Sequence, residues 1–157
     1  MKKGLLTPDE VRHLEHRCAV LGSFIDVFSD PTFSGASGNA KEGRIFRGCM
    51  DGAIATCRAL CERFGLRMNS SSWSGALQSC TADFKKQVRA VLPRAVDSDC
   101  EALWEVLIAA NRCVCHLEDK LVHHNVRPET LRDAVGLVRN IVHAKLSEAK
   151  LPNTVCD

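Results

Sequence analysis

Two arginine–histidine pairs sit one helical turn apart in the last third of this chain: Arg112 with His116, and Arg139 with His143. An arginine can neutralise the charge that gathers on a phosphorane. A histidine can move the proton of a ribose hydroxyl near neutral pH. Together these groups suffice for RNA cleavage without a metal, provided the substrate is held in line. The first pair belongs to "AANRCVCHLEDKLVHH", residues 109–124, which also carries Cys113, Cys115, Asp119, His123 and His124. That run raises a second chemistry, metal binding.

Helix geometry decides against the metal. Consecutive residues of a helix rotate by about 100°, so Cys113 and Cys115 point about 160° apart and cannot chelate one ion from an unbroken helix. His116 and His123 face the same way but lie about two turns apart, too far for one zinc. Asp119 with either histidine supplies two ligands, and no zinc-type spacing elsewhere supplies the rest. The sequence is therefore read with no metal and no cofactor. On the same wheel, Leu103, Leu107, Ala110, Val114, Leu117 and Leu121 form an apolar stripe, and Trp104, Ile108, Cys115 and Val122 lie far round from it. A helix this apolar on several sides is central to its fold. The remaining narrow strip holds Glu101, Glu105, Arg112, His116, Asp119 and His123. Arg112 and His116 are the candidate catalytic residues. Asn111, Asp119, His123, Arg139 and His143 are the candidate RNA- or phosphate-binding residues. The strip also reads as a solvated edge in which Asp119 pairs with its basic neighbours.

These residues need helices to position them, and the chain supplies helical signals throughout. Thr7, Pro8 and Glu10 form a capping box that opens a first helix, with Val11, Leu14, Cys18, Leu21 and Ile25 at helical spacing to an end near Phe28. Residues 29–43, rich in Gly, Ser, Asn and Pro, read as one long flexible loop. "RIFRGCMDGAIATCRALCERF", residues 44–64, is the second helix, stopped by Gly65, with Cys57 and Cys61 assigned to core packing. Residues 66–81 read as loop. "ADFKKQVRAVL" is a short helix closed by Pro93. Ser98 and Glu101 form a second capping box, opening the helix that runs through 109–124. Pro128 and Glu129 open the last helix, which ends near Lys150. Leu131, Val135, Val138 and Val142 form its buried face, with Arg132, Gly136, Arg139 and His143 along one flank. Residues 151–157 are a C-terminal tail. The fold class is all-α: an up-and-down bundle of four long helices plus one short helix, in a single domain over residues 1–157.

Composition sets the outer limits. Formal net charge is +2, from 21 basic and 19 acidic residues, which excludes a nucleic-acid coat but permits a local basic patch. Nine cysteines, an odd number scattered through apolar segments, read as reduced core residues rather than a disulfide framework. No run is apolar enough for a membrane span or a signal peptide, so no membrane partner is expected and the cytoplasm is the expected location.

Two segments carry a family resemblance. "FRGCMDGAIATCRALCERFGL", residues 46–66, and "LIAANRCVCHLEDK", residues 107–120, resemble segments of the HEPN superfamily (higher eukaryotes and prokaryotes nucleotide-binding), small α-helical domains. The resemblance implies a homodimer whose two copies share an RNA site, and metal-independent ribonuclease activity. In that family the catalytic arginine precedes its histidine by four to six intervening residues. Here Arg112 leaves three before His116, with Asn111 in the family's arginine slot, and "RNIVH", residues 139–143, is equally short. The chain has no tyrosine, so it lacks the residue by which one branch is silenced. Two functions follow: an RNA-binding or RNA-cleaving protein with a degenerate Arg/His motif, or a non-catalytic homodimeric module that uses its helical faces for a protein partner.

Overall fold

The computed structural model describes residues 6–36, 40–68, 80–111 and 126–150. These residues form six helices and, among them, no strand: α1 (Pro8–Ser29), α2 (Pro31–Ser34), α3 (Lys41–Arg63), α4 (Ala82–Val91), α5 (Asp97–Ala109) and α6 (Pro128–Lys150). α3 and α6 touch each other, and each touches both α1 and α5. α4 lies on α5, and α2 bridges α1 and α3. One apolar core joins α1, α3, α4, α5 and α6.

The local chemistry accounts for the helix ends. Thr7 caps α1: its side chain accepts from the Glu10 N–H, and the Thr7 N–H donates to Glu10 Oε2 at 2.9 Å. Glu10 also meets Arg63 at the end of α3, at 2.7 Å, which ties the start of α1 to its neighbour. α3 ends at Gly65, whose φ of 81° is a left-handed conformation that side-chain-bearing residues avoid. Thr81 caps α4 by accepting from the Phe84 N–H.

Two expectations need correction. Residues 29–43 are not one loop: Asp30 caps the short α2, its carboxylate accepting from the Thr32 N–H at 2.8 Å, and α3 begins at Lys41. The Ser98–Glu101 capping box does not form. α5 begins at Asp97, and Asp99 accepts from the Val96 N–H at 2.9 Å. The cap thus falls at Val96, two residues ahead of Ser98, and Lys85 and Arg89 of α4 both pair with Asp97, the first residue of the helix. The long run of the fourth predicted helix through 112–124 falls outside the described residues, as does the tail at 151–157.

The core follows the predicted faces closely. Leu131, Val135, Val138 and Val142 of α6 are fully buried. α5 buries Cys100, Leu103, Trp104, Val106, Leu107 and Ile108, so it is apolar nearly all round, as its sequence demands. Cys57 and Cys61 lie in the core, where burial pushes the Cys61 thiol up to about 12 and the Cys57 thiol well above its ordinary value. No described helix is long and apolar enough to cross a membrane.

Candidate functional site: the groove between α1 and α6

Among the described residues, the sequence candidates separate into two places. Arg139 and His143 share one groove. Asn111 lies in another, and the two grooves have no lining residue in common. Arg112, His116, Asp119 and His123 lie outside the described residues.

The first groove runs between α1 and α6 and has a volume of about 350 Å³. α6 contributes Arg139, His143, Leu146 and Ser147. α1 contributes Glu15, Cys18, Ala19 and Gly22. The α1 residues recur at three- and four-residue steps, so they form a row on one face. Ala19 and Gly22 are small, and a Cβ added at Gly22 would meet nothing within 4 Å. The helices therefore leave space between them at this level instead of closing on one another.

One polar contact and two charged groups define its chemistry. Cys18 Sγ lies 3.7 Å from His143 Nε2, joining residues 125 positions apart in sequence. With the ring proton on Nδ1, Nε2 accepts from the thiol; with the ring doubly protonated, Nε2 donates to a thiolate. Arg139 is half-buried, and its Nε is a buried donor that meets no hydrogen-bond acceptor among the described residues. A buried donor without an acceptor costs about 1–3 kcal/mol, more when charged. Glu15 brings a carboxylate to the α1 wall.

The neighbouring arginine on α6 is engaged differently. Arg132 donates to Asp133 from Nε and from a terminal nitrogen, at 3.0 and 2.8 Å. Its guanidinium also sits 5.4 Å from the centre of the Phe28 ring, a cation–π contact that helps hold α6 to α1. Gly136, in the same row, has no described atom within 4 Å of where a Cβ would stand, so no helix backbone approaches it there.

Asn111 lies in a second groove of about 370 Å³, lined by Arg58, Glu62, Leu66, Arg67, Met68 and Leu107. The helix widens to a π-type turn at Ala110 and Asn111. Asn111 is buried there and Nδ2 donates to Met68 Sδ at 3.6 Å. Arg58 is held by Glu62 at 2.8 Å.

Sequence reasoning missed Cys18 and Glu15 as site residues. Cys18 reads as one more apolar position on α1, and nothing local in the chain pairs it with His143. The small residues Ala19 and Gly22 on that helix face are a signal from which an open seam could have been read. Among the described residues, no group of three His, Cys, Asp or Glu side chains is placed to hold a metal ion. No protein-family model, curated protein or solved structure matches the chain.

Proposed function

We propose that this chain is a HEPN-like helical protein that binds RNA, with Arg139 and His143 contacting phosphate in the groove between α1 and α6. The observation that carries the reading is the Arg139 Nε, a buried donor beside His143 with no acceptor among the described residues. A phosphate oxygen is the acceptor a guanidinium is best shaped to take, and the imidazole adds a second donor when protonated. The net charge of +2 makes such binding local, carried by a few contacts instead of a long basic surface. In this reading the protein works as a homodimer. Arg112 and His116 supply the cleaving pair: His116 takes the 2′-hydroxyl proton and Arg112 neutralises the phosphorane.

Glu15 on the facing wall favours a second reading, a non-catalytic homodimeric interaction module. A groove bearing both a carboxylate and a guanidinium suits a mixed-charge protein segment better than a polyanion.

Incubation of the purified chain with mixed RNA in the absence of metal separates the two. RNA binding by the wild type, weakened about tenfold in Arg139→Ala, supports the first reading, since a charge-assisted hydrogen bond contributes about 1.5–3 kcal/mol. The slope of log affinity against log salt should also fall by about 0.7 for single-stranded RNA, one phosphate contact's worth. Cleavage lost in His116→Ala supports catalysis. A wild type that neither binds nor cuts RNA overturns the first reading.

A further inference from the structure

We infer that Cys18 is a reactive thiol and a site of mixed-disulfide formation with small, carboxylate-bearing disulfides, set by its contact with His143 and by the Arg139 guanidinium in the same groove. The assignment stands on the Cys18–His143 pair and holds whether or not RNA binds there.

The described cysteines are not alike. Cys57, Cys61, Cys80 and Cys100 all have thiols pushed up by burial, Cys61 to about 12 and Cys80 to about 11, which keeps them protonated and inert. Cys18 is buried as well, at 8% exposure, but its Sγ touches an imidazole nitrogen at 3.7 Å and it lines a groove of about 350 Å³. The thiolate is the nucleophile in disulfide exchange, and a neighbouring imidazole or guanidinium favours it. The charged and titratable groups lining the groove are Glu15 from α1 and Arg139 and His143 from α6. Arg139 also attracts an incoming carboxylate.

The step balances without an outside oxidant beyond the disulfide itself. The Cys18 proton passes to His143 Nε2. The thiolate attacks one sulfur of the incoming disulfide, forming a new S–S bond as the old one breaks. The departing thiolate takes the proton from His143. Cys18 is oxidised to one half of a mixed disulfide, and the other half of the reagent is reduced to a free thiol.

The probes are glutathione disulfide, which is anionic, and cystamine, which is cationic, each applied to the full chain with the site of attachment read by peptide mass spectrometry. Cys18 should react with glutathione disulfide at least about tenfold faster than the more exposed Cys49, and Cys57 should react more slowly still. If Cys18 in the wild type reacts no faster than Cys49, the assignment is overturned, and that measurement needs no variant. His143→Gln keeps a hydrogen-bonding side chain at an exposed position but cannot take the proton. With its circular dichroism spectrum and melting temperature retained, it should bring the Cys18 rate down to that of Cys49. An unchanged ratio of the two rates removes His143 from the step. Arg139→Gln should lower the preference of Cys18 for glutathione disulfide over cystamine, and an unchanged preference removes the selection for carboxylate-bearing reagents.

Discussion

Arg139 and Arg132 are alike in the sequence and unlike in the fold. Arg132 directs its donors to Asp133 and its charge to the Phe28 ring, whereas Arg139 keeps a buried Nε with no acceptor among the described residues. Such a donor is costly to bury, and an acceptor supplied by a ligand would relieve that cost. Arg139→Met tests that directly. Methionine preserves most of the apolar stem and removes the unpaired donor. Urea unfolding should show an unfolding free energy equal to or above that of the wild type, by up to about 1 kcal/mol, while RNA binding falls. A destabilised Arg139→Met protein would mean that the guanidinium is a structural group. The opposite behaviour belongs to Leu103, which is fully buried on α5. Leu103→Ala should cost about 2–5 kcal/mol on the same measurement, through lost transfer energy and the cavity left behind.

At the scale of elements, helix termini decide more than helix middles. Lys85 and Arg89 on α4 hold Asp97 at the start of α5. Their hydrogen bonds, Lys85 first, keep the Asp97 carboxyl below the usual range. Glu10 is lowered too, by the Thr7 N–H first and then by Arg63. Both groups are depressed in the folded state. The stability they contribute is therefore present above the unfolded carboxylate range and lost as pH falls through the lower folded values, from about pH 4 downward. Asp97→Asn should be less stable than the wild type at neutral pH, with the difference shrinking as pH falls below about 4 in urea titrations at each pH. Both side chains are solvent-exposed, so salt should weaken the effect.

The same termini show what the sequence could carry. The α1 cap, the α6 face and the all-round burial of α5 were legible because a few neighbouring residues determine each of them. The start of α5 was not, because the side chains that pair with its first residue, Asp97, come from α4. The short α2 was hidden by the glycine- and serine-rich segment around it, although Asp30 followed by Pro31 is itself a helix-start signal. The pairing of Cys18 with His143 joins distant helices, and single-helix periodicity holds no information about such a contact. The candidate site was thus half legible: Arg139 and His143 were visible as a row, and the wall facing them was not.

For the whole molecule, five described helices share one core, in which α3 and α6 each touch both α1 and α5. The proposed homodimer is checked by sedimentation equilibrium across a concentration series, which should show a two-chain species if the RNA site is shared. The core has one more consequence. Cys57 and Cys61 stand one turn apart on α3, fully enclosed. A thiol reagent reaches them only when the packing around α3 comes apart, so their labelling rate is the opening equilibrium multiplied by an ordinary thiol rate. They are a pair of built-in clocks for conformational opening. Both should tick together, because one opening uncovers both. In Leu103→Ala they should run about tenfold faster for each ~1.4 kcal/mol of stability lost, if that opening is the global one. Labelling that ignores the substitution would locate a smaller opening, confined to α3 and its nearest contacts.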